Sequence, residues 1–113
     1  MKKVKFKAYD NFEDQTYEVI EISFEKNKVF TLFRGGLRNV YDFDDVVILP
    51  HTGLLDNNRK EIYERDRLEK GDIGYIVSYD DFNAQFVGVN QENESERKPL
   101  RELIDTGFVV KNT

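Results

Sequence analysis

The chain has 113 residues, no cysteine, and 17 basic against 22 acidic side chains, for a net charge of −5. Without cysteine there is no disulfide framework, no thiolate-bound zinc or iron–sulfur centre and no thiol nucleophile. The acidic excess is −1 over residues 1–50 and −4 over 51–113, and it opposes the phosphate attraction that supplies most nonspecific nucleic-acid affinity.

An apolar content of 39%, with nine Phe and six Tyr, argues for a folded chain that leans towards strand. The length fits one domain, 1–113, with room for two small lobes. The opening Met1-Lys2-Lys3-Val4-Lys5 is basic with no apolar stretch behind it, so no secretory signal is expected. No apolar run approaches the roughly 20 residues that cross a bilayer. The expectation is a soluble, cytoplasmic protein.

Period-two patterning dominates the first half. Val4, Phe6 and Ala8 alternate with Lys3, Lys5 and Lys7, which predicts a half-buried strand over 3–9. A loop comes next through Asp10–Asp14. Ile20, Ile22 and Phe24 alternate with Val19, Glu21 and Ser23 and predict a second strand with the isoleucines on its apolar face. Glu25-Lys26-Asn27 is a turn in which Asn27 can take a positive φ, and 29–33 returns as the hairpin partner. Residues 34–39, with Gly35 and Gly36, read as loop, and 42–45 as a solvated lead-in. Val46–Leu49 is fully apolar and reads as a buried strand ended by Pro50.

The second half continues in the same style. Ile73, Tyr75, Val77 and Tyr79 share a strand face, Asp80–Asn83 turns, and 84–89 returns antiparallel. An acid-rich polar loop covers 90–98. Pro99 suits a helix first turn, and Leu100, Leu103 and Ile104 share one face, so a short helix is predicted over 99–105, stopped by Gly107. Phe108-Val109-Val110 is a closing strand. No internal repeat is evident. The predicted class is α+β, predominantly β: an antiparallel or mixed sheet lobe over about 1–50, and a small SH3-like barrel lobe over about 51–113 carrying the one short C-terminal helix.

The densest polar segment runs from Thr52 to Asp66. Gly53 permits a bend after Pro50, Asp56, Asn57 and Asn58 suit side-chain-to-backbone turns, Ile62 and Tyr63 return the chain to the core, and Asp66 is placed to cap the next turn. This stretch resembles the YopX-like family of small phage and prophage proteins, whose motif has the form Thr-Gly-Leu-x-Asp-x-Asn-Gly-x-x-Ile-Tyr-x-Gly-Asp. Thr52, Gly53, Leu54, Asp56, Asn58, Ile62, Tyr63 and Asp66 match it. Weaker likenesses occur at 5–10, 74–89 and 103–110. Arg59 and Arg65 stand where the family commonly has glycine. The resemblance implies a phage context and carries no biochemical activity.

Three functional readings compete. Asp56, Glu61 and Asp66, with His51 upstream, are the acidic groups a metal-dependent enzyme would use, but their spacing fits no calcium loop and one histidine makes no zinc triad. Lys2, Lys3, Lys5 and Lys7 with Phe6 and Tyr9 sketch a nucleic-acid-binding face, yet Phe6 alternates away from the lysines, and edge lysines also serve to block sheet pairing. The third reading is a noncatalytic phage accessory or regulatory protein acting by protein–protein interaction, its partner a host or phage protein or a second copy of itself. This reading is preferred: no catalytic residue, no cofactor and no metal are expected, and neither nucleic acid nor membrane is the expected partner. The motif residues are read as a structural turn.

Overall fold

The computed structural model describes residues 5–32 and 36–111. The expected β-rich α+β class is what it shows: antiparallel sheets and one short helix. The chain divides into two compact units, 1–50 and 51–113.

The first unit is built from β1 (Phe6–Asp10), β2 (Gln15–Ser23), β3 (Lys28–Leu32), β4 (Arg38–Asp42) and the leading part of β5 (Val46–Leu55). The strands lie in the order β4-β3-β2-β1-β5, every pair antiparallel. β1 and β2 form a first hairpin, with Asp10 opposite Gln15, and the predicted hairpin of β2 with β3 turns through Asn27 at φ 55°. Ala8, Val29 and Val46 form the buried centre, with Val19, Tyr41, Phe43 and Ile48 packed on it.

Three details depart from the sequence reading. A bulge between Val19 and Glu21 resets the side-chain alternation of β2: Val19 and Ile22 sit opposite the buried Thr31 and Val29, while Ile20 is 47% and Phe24 78% exposed. One extra residue in a strand is enough to reverse which side chains face the core. The stretch read as loop and lead-in contains the edge strand β4, with a short 3-10 turn after it over Phe43–Asp45; Arg34 and Gly35, like Lys2 and Lys3 of the opening strand, lie outside the described residues. Finally, Pro50 does not end its strand. It lies inside β5, paired with Phe6 at the last position of the β1 ladder, and from His51 onward β5 pairs with another strand. A residue without an N–H fits where the ladder changes partner.

In the second unit the rest of β5 pairs with β6 (Glu61–Tyr63). β7 (Arg67–Lys70), β8 (Ile73–Asp80), β9 (Gln85–Asn90), β10 (Arg97–Pro99) and β11 (Val109–Val110) form an antiparallel sheet in the order β10-β9-β8-β7-β11. The polar loop is therefore shorter than read, because its end is β10. Helix α1 (Leu100–Asp105) buries Leu100, Leu103 and Ile104 in a core with Ile62, Leu68, Tyr75, Val77, Phe108 and Val110. Gly107, at φ 97°, ends it: the Gly107 N–H donates to Ile104 O at 3.0 Å and the Phe108 N–H to Leu103 O at 3.0 Å, the paired bonds of a glycine-terminated helix. Strand β9 lies close beneath α1, since a Cβ on Gly88 would come within 2.4 Å of Leu103 Cδ1. Among the described residues no helix is long and apolar enough to cross a membrane.

Candidate functional site

The motif residues occupy the end of β5, the turn into β6 and the turn after it. Gly53 has φ 88° where the β5–β6 register is irregular, and its N–H donates to His51 Nδ1 at 2.7 Å. Thr52 Oγ1 donates to Ile62 O at 2.8 Å and accepts the Leu54 N–H at 3.2 Å. Ile62 and Tyr63 are buried, and the Tyr63 ring meets the His51 ring edge-on at 5.0 Å.

Asp56, only 5% exposed, is the centre of this network. Its Oδ1 accepts the N–H groups of Asn58 at 2.9 Å and Lys60 at 2.8 Å, and its Oδ2 accepts the Val110 N–H at 2.9 Å. Burial opposes its ionisation, but the amides of Val110, Lys60 and Asn58 outweigh burial and hold the carboxyl below its ordinary value. Asn57 reaches further than a local turn residue, its Nδ2 donating to Ile104 O at 3.0 Å. Asp66 Oδ2 accepts the Tyr63 N–H at 2.8 Å, which closes the turn behind it. Arg59 and Arg65, the two departures from glycine, both have left-handed backbone, at φ 63° and 72°.

Of the three carboxylates weighed for metal chemistry, Asp56 holds the Asn58, Lys60 and Val110 amides, while Asp66 and Glu61 take the two ends of Tyr63, its N–H and, at 3.1 Å, its hydroxyl. Among the described residues no three His, Asp or Glu side chains gather where they would hold a metal ion. The second unit also carries an open groove of about 820 Å3 beside Tyr75 and Phe108. Of the charged groups that line it, Glu96 accepts from the Tyr75 hydroxyl at 2.9 Å and from Asn90 Nδ2 at 3.1 Å, and Lys70 Nζ donates to Thr106 O at 2.6 Å.

The most distinctive surface feature is one the sequence reading missed. Tyr9-Asp10-Asn11-Phe12-Glu13-Asp14-Gln15 and Tyr79-Asp80-Asp81-Phe82-Asn83-Ala84-Gln85 share Tyr, Asp, Phe and Gln at the same spacing, and they fold alike. Each Asp pairs with its Gln to close a four-residue hairpin loop. Asp10 Oδ1 accepts the N–H groups of Phe12 at 2.8 Å and Glu13 at 3.2 Å; Asp80 Oδ1 accepts those of Phe82 at 3.0 Å and Asn83 at 3.4 Å. The fourth loop residue is left-handed in both, Asp14 at φ 55° and Ala84 at φ 53°. These turns leave Phe12 82% and Phe82 95% exposed. The Phe12 amide chiefly lowers the Asp10 carboxyl, and the Asn83 side chain that of Asp80. A gapped comparison of the two halves would have found the repeat; a pass read in chain order does not.

A two-unit antiparallel β protein with a polar knot between β5 and β6 is the class so defined. The chain belongs to the YopX protein family, whose model matches residues 5–110. It is similar in fold to the crystal structure of protein EF1440 from Enterococcus faecalis, with 22% sequence identity and a TM-score of 0.60 over 100% of this chain and 94% of that one. No curated protein matches it.

Proposed function

We propose that this is a small phage- or prophage-encoded accessory protein that acts in the host cytoplasm, without catalysis, by docking its two phenylalanine-tipped hairpins on a protein partner. The observation that carries this is the repeated turn. Exposed Phe side chains scattered singly need no explanation, but the same seven-residue device lifting a Phe into solvent in each unit is not scatter. Burying a Phe contributes about 1.5–3 kcal/mol, and the carboxylate-braced turns hold the backbone before contact, which limits the ordering cost of binding.

Glu13, Asp14 and Asp81 flank the rings. The fitting partner is therefore a protein, of host or phage, with apolar pockets rimmed by basic residues, rather than an anionic lipid surface or a nucleic acid. In this reading the motif from Thr52 to Asp66 is a brace for the second unit, whose five-stranded sheet and helix serve as an SH3-like platform for the Phe82 tip.

Affinity capture from host lysate, with identification and purification of the captured protein, tests the proposal. Phe12→Ser and Phe82→Ser each weaken binding to the purified partner by about ten-fold or more and leave the melting temperature unchanged. Equal affinity in the double variant, or salt-sensitive DNA binding by the wild type, overturns it.

A further inference from the structure

We propose that two copies of this chain pair antiparallel along β4, about a twofold axis at Val40. The inference is independent of the hairpin tips and rests on a different surface. β4 ends the strand order of the first unit. Natural edge strands are usually blunted by a proline, a bulge or a charge that resists pairing. β4 has no proline, and its register with β3 runs regularly from Lys28 opposite Asp42 to Leu32 opposite Arg38.

The sequence Arg38-Asn39-Val40-Tyr41-Asp42 is self-complementary in charge. Arg38 and Asp42 are opposite in sign and equally distant from Val40, so pairing about Val40 sets each Arg38 against the partner's Asp42, twice. Slips of two residues set either Arg38 or Asp42 against the partner's Val40, and slips of four set Arg38 on Arg38 or Asp42 on Asp42; like charges directly opposite are destabilising. One register is therefore selected, and it is isologous, as a closed dimer requires.

The face around the axis agrees. Val40, 51% exposed, lies opposite Phe30 on β3, so the Phe30–Val40 rows of the two copies meet as one apolar ladder, with the 40%-exposed Leu32 alongside. The charges are already drawn into line on this face. Arg38 bonds Glu21 at 3.2 Å and lies 5.0 Å over the Phe30 ring, and Asp42 pairs with Lys28. Each side of the dimer then carries a row of alternating sign: Glu21, Arg38, the partner's Asp42, the partner's Lys28. The Val40 N–H now donates to Asn39 Oδ1 at 2.9 Å, and pairing exchanges that bond for a main-chain carbonyl of the second copy.

Sedimentation velocity across a concentration series tests this. Wild type shows a dimer fraction that rises with concentration. Arg38→Asp or Asp42→Arg alone weakens self-association at least about ten-fold. The double variant Arg38→Asp/Asp42→Arg restores the pair across the axis while setting like charges beside Glu21 and Lys28, so it recovers part of that loss, and Val40→Lys abolishes self-association, with the melting temperature of the monomer tracked throughout. A wild type that stays monomeric at every concentration overturns the proposal, as do single reversals that leave the dimer unchanged or a double reversal that associates no better than either single one. Phe12→Ser and Phe82→Ser leave the dimer intact, so loss of partner binding and loss of self-pairing are separable results.

Discussion

The carboxylate of Asp56 accepts the backbone N–H of Val110 at 2.9 Å, across 54 residues of sequence. One buried side chain thereby ties the β5–β6 turn to the last strand of the same unit. The same carboxylate holds the Asn58 and Lys60 amides, so three donors depend on one group. Replacing it by Ala strands the buried Val110 amide and removes a charge-assisted pair of turn bonds, at a cost of about 2–4 kcal/mol. Asp56→Ala therefore lowers the denaturant midpoint markedly, and hydrogen exchange at Val110 speeds up before the rest of the unit. An unchanged midpoint would show the clamp to be redundant.

The acid limb of stability has its origin in the same chemistry. Asp10, Asp56 and Asp80 all have folded pKa values below the ordinary 3.8. For a depressed carboxyl the stabilisation is complete above the unfolded value and is lost as pH falls through the lowered folded value. The melting temperature thus declines on acidification below about pH 4, and the decline is shallower in Asp56→Asn. At the other end burial, then Asp10, pushes Tyr41 up to about 12. Its contribution is present below the ordinary 10.0 and is lost as pH rises towards the folded value, so Tyr41→Phe flattens the alkaline limb. Thermal melts across pH check both.

How much of this was legible in the sequence depends on the range of the interaction. Hairpins whose strands alternate cleanly, such as β8 with β9, and the helix ended by Gly107 were readable because their signals lie within a few residues. The bulge at Ile20 was not, since a single unpaired residue leaves no compositional trace and yet exchanges the faces of β2. Strand β4 was hidden by the two glycines before it, and its pattern of two charges around Val40 acquires meaning only once it is known to be an edge. In the candidate site, the turn-forming nature of Asp56 to Asn58 could be read locally. The bonds of Asp56 to Val110 and of Asn57 to Ile104 could not, because partners half a chain away have no local signature.

Arg59 provides a direct measure of backbone strain. It holds φ 63°, its N–H closing the turn on Asp56 O at 3.0 Å, in a region where a side chain costs about 1 kcal/mol relative to glycine. Arg59→Gly is expected to raise the melting temperature by about 4 °C. Arg65→Gly relieves similar strain at φ 72° but puts at risk a further interaction that Arg65 makes, so its gain is smaller. A fall in melting temperature in Arg59→Gly would mean that the arginine side chain contributes more than its backbone costs.

Gly88 poses the opposite case, a glycine needed for space rather than for φ. A Cβ there would lie 2.4 Å from Leu103 Cδ1 and 3.0 Å from Tyr75 Cβ, and Leu103 and Tyr75 are both in the buried core of the second unit. Gly88→Ala must therefore push α1 away from β9 or force Leu103 off its rotamer, at about 1–3 kcal/mol. Leu103→Ala opens a cavity and costs about 2–5 kcal/mol alone. In the double variant the new methyl occupies part of the space the leucine vacated, so the two losses sum to more than the measured effect, with a coupling of about 1 kcal/mol or more. Urea melts of the four proteins in the cycle measure it. Strict additivity would mean that the helix moves as a body to admit the methyl, and that the close approach of α1 to β9 does not depend on the leucine.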